Sequence, residues 1–511
     1  MNLEEIFYNI DILYTTESEW EIQLLTKLRL VDTKGGYPYL NQGARVLLNI
    51  LDTTKKLGCK TVIIEKDYLD QDFLEEYSEF YCKSFEAYSS KTHRLHFFEE
   101  HIAYDDLKDL STKQYLGYSV VKPINSYCTG KTVIKSPYDD ENTHFTTCKT
   151  TFTTNLSGSN LKIQGAPFIQ QDTNVGVCAQ ASIWMASYYM HQKYGCSRFY
   201  PPEITHLATR YMSVGAPRVG LNHIQIVTAL RDMGYQVARF PISFSQDEYI
   251  NEAMLLISSY VKSELPAILV LKTFSEYYHA ICVVGYSHKV NFPVSSQDLF
   301  CPNAIEHFYY HDDASGPYRI LYKDNPPPKN FSIKDNVELI IVPLPKQITL
   351  QVDDVYKRVP TLLDIVFLNG TINYFSEKEE LFFSQFELLD LVCCQSYLRR
   401  SSDFKSSLPE EMSYCFRLIY KAMLMPKYIW VIELTKKDLV SSSLSKKRKI
   451  IGEILIDSTA DRNDTGSRSY LVIHLNGRMV VRKPPNFLSL HYDLDEKPYS
   501  QPVLGTNYSG N

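Results

Sequence analysis

Three residues suited to covalent chemistry stand far apart in the 511-residue chain: Cys178, His279 and Asp312. Cys178 lies in APFIQQDTNVGVCAQASIWMASYYMHQKYG, where a polar, glycine-containing run gives way to a helical pattern. From it Ala181, Ser182, Met185, Ala186 and Tyr189 fall on one helical face of small and apolar groups. The sulfur therefore stands at a helix N-terminus, where unpaired N–H groups and the positive end of the dipole favour thiolate over thiol, and the thiolate is the nucleophile. A lone cysteine in such a place more often only packs the start of a core helix.

Two further segments shift that balance. His279 sits in ELPAILVLKTFSEYYHAICVVGY, in which Val and Ile alternate with small residues from Ala280 to Gly285. The pattern makes His279 the start of a buried strand, with its side chain at a strand end where loops bring reactive groups together. Taken alone, a histidine bonded to backbone at the core edge explains it equally well. Asp312 closes a short aromatic strand in EHFYYHDDASGPYRILY, ahead of a Gly-Pro turn. A carboxylate on a neighbouring strand accepts the imidazole N–H, fixes the tautomer and stabilises the imidazolium. Asp312 and Asp313 would also serve simply as turn caps. Thiolate, base and orienting carboxylate together are the set for acyl transfer through a thioester; the arrangement carries the signal, and no single residue does.

Two other groupings point elsewhere. His311-Asp312 is an HD pair of the kind that helps bind divalent ions, but such sites need further His and Asp on helices, whereas this pair ends a strand. Cys393-Cys394 could be redox active, yet within LLDLVCCQSYL the pair reads as the interior of an apolar helix. No metal-ligating or cofactor-binding set is assigned.

The elements that must position these groups occupy residues 165–326. A helix runs from Cys178 to about His191 and a second lies around Asn222–Met233; strands follow at Ala267–Lys272, His279–Gly285 and His307–Asp312. Helices first and strands afterwards predict an α+β layout. The run Pro326-Pro327-Pro328 excludes regular structure and reads as an exit linker. Residues 1–164 form an α/β region of unknown role. In it Thr61–Glu65 is a strand followed by a helix carrying Phe73, Tyr77 and Phe80, whose acidic residues favour the helix N-terminus over a metal; residues 117–163 suit short strands. Residues 327–511 form a mixed region, with a hairpin turning at Asn476-Gly477 and an exposed basic loop at Ser441–Lys449.

The order of a Cys on a helix N-terminus, a His opening the strand HAICVVGY and an Asp ahead of the turn glycine in YYHDDASGPY resembles the papain-like cysteine peptidase superfamily, and most its bacterial C39-like branch, over about residues 165–325. The resemblance implies a papain-like core, with a helix carrying Cys followed by an antiparallel sheet carrying His and Asp. It also implies a Gln shortly before the Cys, whose amide donates to the oxyanion. Gln171 stands seven residues before Cys178, one further than is usual in the family, where this chain has Asp172. A one-residue loop insertion reconciles the gap and favours Gln171 over its neighbour Gln170. Ala179 follows the Cys where the family commonly has Gly. Carried over, Cys178 attacks a carbonyl, His279 takes the proton and returns it to the leaving group, Asp312 orients His279, and the Cys178 N–H with Gln171 holds the oxyanion. The implied enzyme is a cysteine peptidase or isopeptidase with a peptide or protein substrate. The same residues would serve a deamidase, a transglutaminase-like crosslinker or an acyltransferase, and a third alternative keeps the core as a catalytically silent binding module.

Bulk properties set the remaining bounds. With 44% hydrophobic residues a chain this long buries several cores. A net charge of −6 offers no bulk reason to expect nucleic acid or an anionic membrane as partner. The first thirty residues lack a signal peptide pattern and no apolar run approaches a membrane span, so a cytoplasmic location is expected. Eleven cysteines without a CxxC pair are expected to be mostly reduced thiols. The long flanks could cover a groove, present substrate, take a regulatory partner or build an oligomer.

Overall fold

A computed structural model describes residues 3–32, 39–40, 44–124, 127–139, 143–171, 178–211, 221–242, 247–273, 277–289, 299–368, 392–437, 447–463, 469–475, 478–483, 486–491 and 499–502. Helices and antiparallel sheets are mixed through it, an α+β arrangement.

The first sheet has seven strands in the order Ile10–Tyr14, Thr61–Tyr68, Thr92–Phe98, Tyr115–Val121, Thr129–Ile134, Ser159–Phe168 and Thr150–Leu156. Strand Thr61–Tyr68 leads into helix Gln71–Glu79, capped by the Asp70 carboxylate, which accepts the Phe73 N–H at 3.1 Å. Asp72, expected only to favour that helix terminus, has a larger role. It is buried, accepts the Trp184 indole N–H at 2.8 Å and pairs with Lys131 at 3.1 Å and with Arg198. The Arg198 guanidinium also lies 4.0 Å over the Tyr188 ring. Buried charges persist only when paired and hydrogen-bonded, so this knot fixes the first sheet and its helix against the helix that carries Trp184 and Tyr188.

That helix is Cys178–Tyr194. Small and apolar side chains let it sit deep: every residue from Ala179 to Ser187 is buried, including Gln180, Ile183 and Trp184, which lie off the apolar face read from the sequence. A helix covered on all sides belongs to a core; it packs against strands Tyr278–His288 and Ser159–Phe168. A second helix, His223–Asp232, opens with a capping box between Asn222 and Gln225.

The central sheet runs Gln236–Pro241, Val337–Leu344, Ala267–Lys272, Tyr278–His288, Ile305–Asp312 and Gly316–Tyr322, with the short strand His144–Phe145 also paired to Tyr278–His288. All pairs are antiparallel. The proline run expected to be an exit linker lies between two strands of this one sheet, so the sheet extends beyond residue 326. Gly285 is required where His144–Phe145 crosses: a Cβ there would stand 2.4 Å from the Phe145 carbonyl oxygen.

A third sheet orders Val392–Arg400, Tyr428–Lys436, Gly452–Asp457, Tyr470–Leu475, Arg478–Lys483 and Asn486–His491. Cys393 and Cys394 lie on its first strand and not in a helix, and Cys393 forms a disulfide with Cys301. A short apolar run fits either element by periodicity alone, and here pairing with Tyr428–Lys436 decides. Nine cysteines are free thiols. Of the basic loop, Lys447–Ile450 is a strand paired with Tyr499–Pro502; residues 441–446 and the Asn476-Gly477 turn lie outside the described residues. One cluster of buried side chains runs from Leu13 through Trp184 and Tyr286 to Val480, joining all three sheets. No helix among the described residues is long and apolar enough to cross a membrane.

Candidate active site

Antiparallel pairing puts the start of strand Tyr278–His288 beside the end of strand Ile305–Asp312. Cys282 pairs with His311, so their side chains share one face, and one step along each strand turns Ile281 and Asp312 to the other face. His279, two residues before Ile281, shares that second face. There the His279 Nε2–H donates to Asp312 Oδ1 at 2.8 Å. The imidazole also hydrogen-bonds the Cys178 sulfur, with Nε2 already engaged by Asp312. Cys178 is partly exposed at the first turn of its helix, and its Sγ accepts the Ala280 backbone N–H at 3.3 Å. Three distant segments thus meet in the order sulfur, imidazole, carboxylate.

The electrostatics follow from burial set against partners. Burial disfavours the charged His279 ring, but the hydrogen bonds to Asp312 and Cys178 outweigh it and hold its pKa well above the usual imidazole value. Burial also works against the Asp312 carboxylate, yet the His279 hydrogen bond, the Ser315 hydroxyl and the Ala314 N–H at 2.9 Å keep it below the ordinary carboxylate value. Asp313 goes the other way: burial and the neighbouring Asp312 charge push its carboxyl up to about 7, against the pull of His279. Its Oδ1 lies 4.0 Å from His279 Nε2. The Phe331 ring tilts against the imidazole, centroids 6.1 Å apart.

Gln171 follows strand Ser159–Phe168 and is 2% exposed, and neither atom of its amide finds a hydrogen-bond partner among the described residues. It therefore makes no hydrogen bond to Cys178. Gln170 is engaged structurally: its Oε1 accepts the Thr129 N–H at 3.2 Å, and its carbonyl accepts from Lys122. Asp172 lies outside the described residues. His311 points away from the site, with Nδ1 at 3.2 Å from the Pro167 carbonyl oxygen and a pKa pushed down to about 3 by burial. The HD pair is therefore split between two faces of one strand. Among the described residues, the one trio whose ligand atoms lie within 4.8 Å of one another is His279, Asp312 and Asp313, which could hold a cation only by giving up the His279–Asp312 hydrogen bond.

Sequence reasoning did not single out Ala280, Ser315 or Phe331, whose parts here are set by backbone geometry and packing. The Asp312-Asp313 pair carried a signal, since two adjacent carboxylates in one turn do not ionise independently.

No family model and no curated protein matches the chain. Among solved structures, the peptidase domain of Streptococcus ComA, a bi-functional ABC transporter involved in a quorum sensing pathway, aligns with 34% of this chain and 95% of its own length. Identity there is 16% and the TM-score 0.22. A likeness at that score fixes neither the fold nor the activity of this chain.

Proposed function

We propose that the chain is a cysteine-nucleophile hydrolase with a papain-like core, acting on a peptide or protein amide. The observation that supports this most is the hydrogen-bonded line from the Cys178 sulfur through His279 to the buried Asp312 carboxylate. In this mechanism Cys178 Sγ attacks the carbonyl carbon and its proton passes to the His279 nitrogen facing it, while the Nε2–H stays on Asp312 and orients the ring. The Cys178 N–H and the Gln171 amide would stabilise the oxyanion. Collapse of the tetrahedral intermediate expels the amine, which takes the proton from His279; water then hydrolyses the thioester with His279 as base. The Ala280 N–H, donating to the sulfur at 3.3 Å, would stabilise the Cys178 thiolate.

The test is a peptide-library digest by wild type, Cys178→Ala and His279→Ala. Fragments made only by wild type support hydrolysis. A mass gain of about 1 Da without cleavage would replace it with deamidation by the same residues. Equal turnover by Cys178→Ala would end the proposal.

A further inference from the structure

The turn that follows Asp312 is tied to a part of the chain with no evident chemistry. Ser315 donates its hydroxyl to the Asp312 carboxylate, and its backbone N–H donates to the Asp312 carbonyl at 3.1 Å. The Ser315 carbonyl in turn accepts the Asn49 Nδ2–H at 2.8 Å. Asn49 lies on helix Arg45–Lys56 of the N-terminal region, 266 residues away in sequence. Gly316, at φ 106°, lets the chain reverse there, and a Cβ on it would come within 3.6 Å of the Asn49 side chain. The contact is therefore close on both sides, and an unbroken series of hydrogen bonds runs from Asn49 through Ser315, Asp312 and His279 to Cys178. At the other end of the site, Asp72 of the same N-terminal region holds Trp184 on the Cys178 helix. The N-terminal region thus braces both the nucleophile helix and the acid turn.

We infer that Asn49 and Ser315 are positioning residues for Asp312, and that the N-terminal region is a built-in part of the site and not a cover to be removed for activity. The inference rests on the proposed Cys178–His279–Asp312 mechanism. Asn49 and Ser315 touch neither the sulfur nor the reacting carbonyl; they fix the peptide that keeps the carboxylate against the imidazole. Without them the Asp312 turn relaxes, the carboxylate loosens its hold on His279, and the imidazolium gives up its proton at lower pH.

The experiment follows alkylation of Cys178 by iodoacetate against pH in the full-length chain. This anionic reagent reacts fastest where thiolate and imidazolium coexist, so the alkaline limb of the profile reads the His279 proton. Ser315→Ala is expected to move that limb toward acid by about one pH unit, the equivalent of one hydrogen bond to a charged group, and Asn49→Ala, which loses a bond to a neutral carbonyl, by roughly half a unit. Thr53→Val, on the same helix with its hydroxyl donating to the Asn49 carbonyl, should reproduce the wild-type curve. Ser315→Ala removes a single hydroxyl, so it keeps the test open should Asn49→Ala fail to fold. Alkaline limbs unchanged in both variants would overturn the inference. A wild-type profile indistinguishable from that of His279→Ala would instead sink the underlying mechanism.

Discussion

Replacing Gln171 with Met separates the cost of the proposed oxyanion site from its use. The Gln171 side chain is buried with both amide atoms unpaired among the described residues. Each buried donor or acceptor left without a partner costs about 1–3 kcal/mol of folding free energy. Met has a similar unbranched shape and no strong polar atom, so Gln171→Met should recover on the order of 1 kcal/mol or more and raise the unfolding midpoint. If the amide donates to the oxyanion, the same change removes that donor and slows acylation by about 10²- to 10³-fold. The assay compares two reactions of Cys178: acetylation by p-nitrophenyl acetate, which passes through a tetrahedral oxyanion, and alkylation by iodoacetamide, which does not. Acetylation should fall while alkylation holds, in a protein that melts higher than wild type. Acetylation left unchanged, or both reactions falling together, would refute a role for Gln171 in binding the oxyanion.

Other outcomes follow from the same geometry. Asp312→Asn should slow acetylation of Cys178 by about 10²- to 10⁴-fold, the usual range for impaired general acid–base assistance, with the protein still folded by circular dichroism. Stability against pH has a defined sign. His279 binds its proton more tightly folded than unfolded, so its contribution is complete below the ordinary imidazole value and is lost as pH rises through its raised folded value. Asp313 also favours its protonated form when folded, so its contribution is complete below 3.8 and declines as pH climbs to about 7. Asp312 acts oppositely, stabilising above 3.8 and losing that effect as pH falls through its depressed folded value. Asp313→Asn should therefore flatten the fall in urea midpoint between about pH 4 and pH 7, and an unchanged slope would count against the buried-acid assignment. Alkylation in denaturant without reductant should modify nine cysteines and with reductant eleven, read by intact mass, because Cys301 and Cys393 are joined.

Much of what positions the candidate site was readable from local pattern. The helix beginning at Cys178 and the strands carrying His279 and Asp312 have apolar periodicities that need no distant partner to be seen. Strand pairing is another matter. Nothing around Val337–Leu344 says that it slots between Gln236–Pro241 and Ala267–Lys272, because that choice is made by packing between segments far apart in sequence. The same holds for Cys393, whose partner Cys301 lies 92 residues away, and for Asp72, which looks like an ordinary first-turn acid until Trp184, Lys131 and Arg198 close around it. Asn49 is the extreme case: a polar residue on an amphipathic helix, with no sequence signal that it reaches the acid turn.

The central claim is that the sulfur of Cys178 attacks a carbonyl with His279 as its base. Its most direct measurement is peptide mapping of the protein after acid quench of a short reaction with p-nitrophenyl acetate. The predicted result is a hydroxylamine-labile acetyl thioester on Cys178 in wild type that is largely lost in His279→Ala. Acetylation appearing on the exposed Cys82 and Cys415 as fast as on Cys178, and unaffected by His279→Ala, would contradict it.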